Sequence, residues 1–487
     1  MNSLVWLQRD LRLSDHAPLT QALQQSERVV VAYIHDPQQV IGEANSVWLA
    51  HSLLSLQTDM RNKGGELLML EGSFTQQLDS LIRDYQIQQV FYHYEVGQPF
   101  VNQQQQALAV CKQHQVALKP FDQAWLNADE IVTLSGSTYA VFSPFYKNLS
   151  SQLQRVESPL GVPTGLNKTK ITPITDKQKQ LPPTLANLIE RPWAQAMMSH
   201  WQVGEHQAWL NFSQFMVQHL SDYPEQRDFP GVAGTSKLSI PLHFGEISSR
   251  AVLHQLMAEK TRPKADLNAI DAFIRQLSWR EFARYLLHHH PQLETEPFQA
   301  KFARFPWDNN AELLQAWQQG QTGFPLIDAA MRELWQTGWM HNRSRMLVAS
   351  WLSKNANIDW REGQAWFAHT LIDADPANNS MGWQWVAGCG VDAAPYYRLF
   401  NPILQSEKFA GDGVYIKKWL PVLRRLPAKF IHAPWLKPNV VASYGIKPGA
   451  NYPLPVLNLE HSRLQHIERV AAQKNLYISN TVEKLTL

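Results

Sequence analysis

The sequence predicts an α/β N-terminal domain with a Rossmann-like parallel sheet, followed by an all-helical C-terminal domain. Short apolar runs alternate with helical stretches over about the first 130 residues, which is the pattern of an open parallel sheet. Beyond residue 205 the apolar residues recur at the i, i+3, i+4 spacing of helices. A chain of 487 residues also exceeds what one ordinary core holds, so two or three domains are expected.

Five runs of apolar and β-branched residues are predicted to form the strands. They occupy residues 3–10, 29–34, 66–70, 89–94 and 116–121. Ligands of such sheets bind at the carboxyl ends of the strands, but no GxGxxG dinucleotide fingerprint follows the first run. A purely structural role for the sheet is therefore an equally good interpretation. A segment rich in Pro, Thr, Lys and Gln lies beyond the sheet, so we divide the chain into three parts. These are an α/β domain at 1–130, a linker at 131–204 and a helical domain at 205–487.

The composition is typical of a globular protein, with 44% hydrophobic and 18% charged residues. Since no run of about 18 apolar residues is present, we expect no membrane span. Two cysteines, Cys111 and Cys389, cannot form a disulfide framework, which indicates a reducing, cytoplasmic compartment. A net charge of +2 gives no global basic field for nucleic acid, but it is compatible with a local basic patch.

The tryptophans are concentrated in the C-terminal half, because only three of the 18 precede residue 190. Between Trp339 and Pro402 they are interleaved with arginines, acids and amides. A core excludes charged residues unless they are paired. This stretch is therefore predicted to form the wall of a functional site.

A small-residue turn precedes this stretch, within residues 227–239. Gly234, Thr235, Ser236 and Ser239 offer backbone N–H groups and hydroxyls that suit a pyrophosphate. An ordinary capped helix start explains the same residues.

A second segment, RQLSWREF at 275–282, is predicted to be helical. Gln276, Trp279 and Arg280 share one face there, at i, i+3 and i+4. An amide, an indole and a cation suit a flat, hydrogen-bonding ligand such as a base, whereas an amphipathic helix with a half-buried arginine is the plain alternative.

Within the tryptophan-rich stretch, Asn342 and Met346 share one helical face. We interpret His341 as a satisfied structural histidine. Arg343 and Arg345 either are solvated or pair with a phosphate or carboxylate.

Asp373 and Asp375 flank a single residue, a spacing that a metal site could use. No His or Cys cluster lies near them in the sequence, so we predict no metal. Ribose hydroxyls and ring N–H groups are better partners for two carboxylates in an Asn-rich turn.

Together these segments resemble the photolyase/cryptochrome flavoproteins over nearly the whole chain. The family's opening strand and turn are similar to VWLQRDLRLSDHAPL. Its flavin-domain signatures are similar, in the same order, to TGFPLIDAAMREL, TGWMHNRSRM, IDWREG, LIDADPANNSMGWQW, DAAPYYRLFNP and SEKF. The likeness is greatest to class I-type cyclobutane pyrimidine dimer (CPD) photolyases. It implies an α/β antenna-binding domain and a helical domain that binds FAD and DNA.

The resemblance also assigns the residues that would hold FAD. Those expected at its phosphates are Tyr223, Thr235, Ser236, Lys237, Leu238 and Ser239. Those expected at its adenosine, ribityl and isoalloxazine parts are Asn342, Arg345, Asp373, Asp375 and Asn379. Arg345 would pair with Asp373, and Asn379 would face flavin N5. Lys237 stands where the family often has arginine, so the charge is kept and the bidentate fork is lost.

The same likeness implies light-driven repair of UV-damaged DNA, in which an electron from reduced FAD splits a pyrimidine dimer flipped out of the duplex. The residues expected around the lesion are Gln276, Trp279, Asn342, Met346 and Trp385. Those expected at flanking phosphates, with salt-dependent binding, are Arg227, Arg343 and Arg398. Those expected to pass electrons towards the flavin are Trp307, Trp360 and Trp383. Packing alone explains each tryptophan taken by itself.

The determinants of lesion type conflict. Gln276 stands where CPD photolyases usually carry Glu, and this resembles (6-4) photolyases and many cryptochromes. Asn342 and Met346 resemble the CPD type, because (6-4) enzymes have two histidines there. Since (6-4) repair needs an acid to protonate the lesion, the missing histidines decide for CPD repair. The alternatives are a (6-4) photolyase and a cryptochrome-type blue-light photoreceptor. A third interpretation is a nucleotide-binding domain fused to a helical RNA- or protein-binding domain.

The residues YEVGQP at 94–99 depart from the family's folate-contact pattern. We therefore expect the antenna chromophore to be a weakly bound folate, a deazaflavin or another flavin, or to be absent. We further expect a monomer that acts on UV-damaged DNA and has no membrane partner.

Overall fold

Five parallel strands form the predicted N-terminal sheet. They are β1 (Asn2–Leu7), β2 (Arg28–His35), β3 (Leu68–Glu71), β4 (Gln89–Tyr94) and β5 (Ala117–Asp122). Their spatial order is β3-β2-β1-β4-β5, with Leu4 opposite Val30 of β2 and Val90 of β4. Each predicted run is confirmed as a strand. Because the order reverses between β1 and β4, the carboxyl ends of these two strands open the crevice where such sheets bind ligands.

One face of the sheet buries an aromatic cluster. The ring of Trp6 lies 4.8 Å from that of Phe74 and 5.2 Å from that of Tyr92. Leu, Ile and Val side chains from four strands and two helices complete this core. These strands are nearly continuous apolar runs because helices cover the sheet.

The structure describes residues 1–170, 176–395 and 397–485. It is a computed structural model. Twelve described α-helices lie in the first 289 residues. They are α1 (Ala17–Gln25), α2 (Glu43–Asn62), α3 (Phe74–Asp84), α4 (Phe100–Gln113), α5 (Phe142–Ser150), α6 (Pro183–Ile189), α7 (Pro192–Met198), α8 (Glu205–Gln218), α9 (Tyr223–Gln226), α10 (Ser239–His243), α11 (Ser249–Lys260) and α12 (Leu267–His289). The predicted linker thus contains α5, α6 and α7, and its residues 171–175 lie outside the described residues.

After residue 289, the regular secondary structure of the described chain consists of helices. They are α13 (Ala311–Gln318), α14 (Pro325–Thr337), α15 (Asn342–Ser350), α16 (Trp360–Thr370), α17 (Pro376–Ala387), α18 (Pro402–Phe409), α19 (Val414–Trp419), α20 (Ala428–Ile431), α21 (Pro438–Ala442) and α22 (Leu459–Leu485). A π-helical turn, Trp351–Asn355, continues α15. Short 3-10 helices are Ala128–Glu130, Leu153–Arg155, Leu166–Thr169, Asp176–Lys179, Pro291–Glu294, Ala300–Phe302, Pro421–Leu423 and Pro434–Leu436. The predicted fold class, an α/β domain plus an all-helical domain, is confirmed.

The chain folds into two units, each assembled from separate segments. Unit 1 consists of Met1–Pro224, Thr235–Pro291 and Ile372–Ala377. Unit 2 consists of Glu225–Gly234, Gln292–Leu371 and Asn378–Leu487. In the part of the chain that the structure describes, no helix has the length and hydropathy needed to cross a bilayer.

Candidate functional site

The predicted phosphate-binding turn of unit 1 lines a cavity of about 410 Å³. Thr235, Ser236 and Lys237 all contribute to its wall, just before α10. Lys237 has a left-handed backbone (φ 54°), and the Leu238 N–H donates to Ser236 Oγ over 3.3 Å. The turn therefore gathers two hydroxyls and an ammonium group at one cavity, a donor set that suits phosphate oxygens.

The two other phosphate candidates, Tyr223 and Ser239, differ in their surroundings. Tyr223 is buried and packs edge-on against Phe215 and Phe273, with ring centroids 5.7 and 5.2 Å away. Ser239 is the first residue of α10 and is exposed. Packing thus fixes Tyr223, while Ser239 begins the helix that follows the turn.

A buried carboxyl group, Glu246, lines the same cavity. It accepts a hydrogen bond from the Trp48 indole over 3.1 Å. Burial raises the pKa of Glu246 to about 7, although hydrogen bonds from Ser52, Trp48 and the Gly204 backbone act in the opposite direction. The carboxyl group is therefore partly protonated near neutral pH.

An ion-pair network in unit 1 holds Asp375. Arg9 follows β1 and donates to Asp375 Oδ2 over 2.6 Å and to Glu95 Oε2 over 2.5 Å. Arg284 of α12 also pairs with Glu95, at 3.0 Å. Burial alone raises the pKa of Asp375, but the Arg9 charge and a hydrogen bond with His243 outweigh it, and the pKa lies well below the ordinary value. Asp375 is thus a fixed, ionised acceptor.

Asp373 lies two residues before Asp375 and is buried. Its carbonyl accepts from the Asp375 N–H over 2.7 Å, which makes a tight bend before α17. The sequence prediction that these two carboxylates belong to one turn is consistent with this bend.

On α12 the side chains of Gln276, Trp279 and Arg280 are all half-buried, as their common face predicts. The Trp279 ring stacks on Phe142 of α5, with centroids 3.5 Å apart and planes 9° apart. Arg280 donates to the Leu242 carbonyl and pairs with Glu281 at 3.2 Å. Phe142 thus holds the indole in one orientation, which a stacking platform for a base requires.

In unit 2 the Asn342 amide nitrogen lies 3.8 Å from Met346 Sδ, so the predicted shared face of α15 is observed. His341 caps the helix, with its Nδ1 accepting from the Arg343 N–H over 3.1 Å. Burial lowers the pKa of His341 to about 4. Arg345 donates through Nε to the Met340 carbonyl over 2.8 Å.

The three arginines predicted to bind DNA phosphates all lie in unit 2. Arg343 pairs with Asp228 at 2.8 Å, and its guanidinium lies 4.4 Å from the centroid of the Phe409 ring. Arg398 is exposed, and the buried Lys354 donates to its carbonyl over 3.1 Å. Arg227 is half-buried. Lys354 therefore anchors the segment that carries Arg398.

The three tryptophans predicted to carry electrons range from buried to half-exposed. Trp360 is 1% exposed and Trp383 2% exposed, whereas Trp307 is half-buried. Phe367 packs on Trp383 with centroids 5.0 Å apart. The Trp383 ring also contacts Gly363, one turn after Trp360 on α16.

The two remaining candidates lie on α17. The Asn379 amide donates to the Gln364 carbonyl over 3.0 Å, which orients the side chain. Trp385 is half-buried. Several buried polar atoms of unit 2 lack a hydrogen-bond partner among the described residues, and Trp383 Nε1 and Gln364 Oε1 are two of them. A buried polar atom without a partner calls for an explanation. A cofactor with hydrogen-bonding groups would supply one, so the residues of unit 2 fit a polar cofactor.

The sequence did not single out Arg9, Glu95, His243 or Gly363. Arg9 lies in a motif that marked only the opening strand, and its partner Asp375 is 366 residues away. The strand order offered the missing signal, because residues that follow β1 and β4 meet at the crevice.

Comparison with known proteins gives two family matches. Residues 3–164 match the family described as DNA photolyase. Residues 273–472 match the FAD binding domain of DNA photolyase. The second match contains all the candidate residues from Gln276 to Arg398.

Individual relatives span almost the whole chain. The deoxyribodipyrimidine photo-lyase of Agrobacterium fabrum is 36% identical over 476 residues, which cover 97% of this chain and 98% of the relative. Cryptochrome-1 of Arabidopsis thaliana is 30% identical and covers 99% of this chain, with 73% of its own length aligned. A bacterial class III photolyase structure from Agrobacterium tumefaciens matches with a TM-score of 0.91 at 36% identity, covering 97% and 98% of the two chains.

Proposed function

Because this chain belongs to the photolyase/cryptochrome family and contains its FAD-binding domain, we propose that it repairs CPDs in UV-damaged DNA under blue light. The family match removes the support for a helical RNA- or protein-binding domain. The likeness to class I enzymes stays a prediction, since the structural relative named above is a class III photolyase.

The observation that carries the choice of lesion is the face of α15. It presents Asn342 and Met346 in contact with each other, and neither side chain can donate a proton as an acid. The neighbouring His341 uses Nδ1 to cap the helix, and its pKa of about 4 keeps it neutral near pH 7. Repair of a (6-4) lesion requires a proton donor. The surroundings of α15 therefore favour CPD repair.

When bound, reduced FAD supplies the light-driven electron that opens the cyclobutane ring and that afterwards returns. Thr235, Ser236 and Lys237 would hold the cofactor's phosphates at the unit 1 cavity, with Tyr223, Leu238 and Ser239 beside them. Arg9 keeps Asp375 ionised and immobile as an acceptor for N–H or hydroxyl groups. Asn342, Arg345, Asp373 and Asn379 would hold the remaining parts of FAD, as the resemblance implies.

Trp279 and Trp385 would stack on the flipped bases, and Gln276 would hydrogen-bond them. Arg227, Arg343 and Arg398 would neutralise flanking phosphates, which makes binding depend on salt concentration. Trp307, Trp360 and Trp383 would pass electrons from the half-exposed Trp307 inwards. We further propose that the protein acts on DNA as a monomer. For the antenna chromophore the alternatives stay a folate, a deazaflavin, another flavin, or none.

A repair assay on two substrates tests it. The purified, chemically reduced protein is illuminated with blue light on duplexes that carry either one CPD or one (6-4) photoproduct, with a dark control for each. We expect restoration of the CPD duplex only, and only in the light. Restoration of the (6-4) duplex alone would assign the chain to the first alternative, and restoration of neither would assign it to the photoreceptors.

A further inference from the structure

Two histidines and a carboxylate converge in unit 1, away from every residue assigned above. Asp129 lies in the 3-10 turn Ala128–Glu130 that follows β5, and His288 and His289 end α12. One ligand atom from each of the three lies within 4.8 Å of the other two. The cluster is not recognisable from the sequence, because Asp129 and His288 are 159 residues apart.

Each histidine has a hydrogen-bond partner at one of its two ring nitrogens. The Tyr94 hydroxyl lies 3.2 Å from His288 Nδ1, and the Ala128 carbonyl lies 3.3 Å from His289 Nε2. When these two nitrogens carry the protons, His288 Nε2 and His289 Nδ1 keep their lone pairs. Histidine ligands of metals are oriented by such outer hydrogen bonds, to a carbonyl or another oxygen. In these tautomers both imidazoles have a nitrogen lone pair available for a metal ion.

We propose that Asp129, His288 and His289 form a site for a borderline divalent transition ion, with Zn²⁺ as its representative. Two imidazoles and one carboxylate with room for water are a known ligand set for such ions. Ligand atoms around Zn²⁺ are about 3.3 Å apart, so small side-chain rotations bring these three to bonding distance.

The electrostatics of the position favour a cation. The last turn of α12 presents the partial negative charge of its carbonyl groups. His288 Nε2 lies 3.1 Å from the Asp129 carboxylate, whose side chain is 68% exposed, against 26% for His288. An ion and its water ligands can thus enter from solvent without any rearrangement of the core.

A second cluster of the same composition shows what a purely structural arrangement looks like. Asp10, His16 and His93 are fully buried in unit 1. His16 Nδ1 accepts the Leu19 N–H over 3.1 Å, so the proton of the neutral ring is on Nε2, which faces Asp10 at 3.1 Å. That nitrogen is a donor and not a ligand. Of these two clusters, the one formed by Asp129, His288 and His289 is therefore the candidate metal site.

A bound ion would join the 3-10 turn to the end of α12, the helix that carries Gln276 and Trp279. Because the ion binds the folded protein, its binding free energy adds to stability. We therefore expect Zn²⁺ to raise the melting temperature as well as to bind.

The test is titration of the full-length flavoprotein, produced without a histidine tag and stripped with a chelator. Calorimetry with Zn²⁺ alone should show one ion per chain, with a Kd below about 10 µM. Asp129→Asn, His288→Ala and His289→Ala should each weaken binding about tenfold or more. Mg²⁺ should not bind here, because it prefers oxygen ligands.

The matched control is His461→Ala, which removes an exposed histidine outside the cluster and should leave both affinity and stoichiometry unchanged. Asp129→Asn alters only an exposed side chain, so its result does not depend on whether the histidine variants fold. Failure of the wild-type protein to bind one Zn²⁺, or equal affinity in wild type and Asp129→Asn, would overturn the proposal. Neither result bears on DNA repair.

Discussion

The indole ring of Trp383 lies against Gly363 so closely that a methyl group on this glycine would overlap with the ring. Both residues belong to unit 2. Gly363 of α16 has no side chain, and the ring of Trp383 from α17 occupies the space beside it. We expect Gly363→Ala to displace Trp383, at a cost of about 1–3 kcal/mol in stability. If Trp383 passes electrons inwards, photoreduction of the flavin should slow severalfold, which visible absorption during illumination with an external reductant measures.

Gly382→Ala provides the matched control for this substitution. It lies next to Trp383 in α17, and no atom lies within 4 Å of its added methyl group. Alanine inside a helix should stabilise the protein by up to about 1 kcal/mol and leave photoreduction unchanged. Equal photoreduction rates in both variants would remove Trp383 from the proposed electron path.

Gln276 offers a test of the conflict over lesion type. We expect Gln276→Glu to raise CPD repair, by about fivefold at limiting substrate, because hydrogen bonds to charged groups are about 1 kcal/mol stronger than those to neutral groups. Gln276→Ala should lower repair, since both polar atoms are lost. Repair yield per absorbed photon and DNA affinity are the measurements. A decrease in CPD repair with Gln276→Glu would show that the neutral amide suits a different lesion.

Because Arg343 and Asp228 form an ion pair, substitutions of the two residues should have opposite effects on DNA binding. Arg343→Gln should weaken binding and reduce the slope of log affinity against log salt concentration by about 1. Asp228→Asn removes the partner at 2.8 Å, so Arg343 becomes a stronger phosphate ligand and affinity should rise. Binding of a CPD duplex at several salt concentrations measures both. An unchanged salt slope in Arg343→Gln would mean that this guanidinium serves only Asp228 and Phe409.

Glu246 predicts a dependence of stability on pH. Its pKa rises from an ordinary 4.5 to about 7 in the folded protein, so the folded state holds a proton that the unfolded state has lost. The stability that this group contributes is fully present below pH 4.5. It decreases as the pH rises from 4.5 to about 7, and it is lost above about pH 7. Between pH 5 and 8 the free energy of unfolding should fall by about 2 kcal/mol from this group alone.

Glu246→Gln cannot titrate, and it keeps an oxygen that can accept from the Trp48 indole. The difference in melting temperature between wild type and Glu246→Gln should therefore change with pH, in favour of the variant at pH 8. Parallel profiles from pH 5 to pH 8 would contradict the raised pKa.

Features that depend on local periodicity were predictable from the sequence. The apolar runs at 29–34 and 89–94 became β2 and β4, because strands buried on both faces are apolar throughout. Spacing of four residues also brought Asn342 and Met346 together on α15. Within such elements, the side chains that share a face follow from the element alone.

Features that depend on pairing between distant segments were not predictable in this way. The partner of Arg9 lies 366 residues away, and Gly363 contacts a tryptophan on the next helix. No periodicity reports which helix or loop meets another in space. The proximity of Asp129 to His288 was not predictable for the same reason, although three consecutive histidines are present at 288–290.

The pairing of Arg9 with Asp375 has a consequence for biosynthesis. Unit 1 includes Ile372–Ala377, so its last segment leaves the ribosome only after most of the chain has been translated. Until then the guanidinium beside β1 lacks one of its two carboxylates, at a position that is buried in the finished protein. Domains generally fold in order during translation, but here Arg9 gains its second carboxylate only after residue 375 has been synthesised. A nascent chain arrested before that point should accordingly be more sensitive to protease than one released just after it.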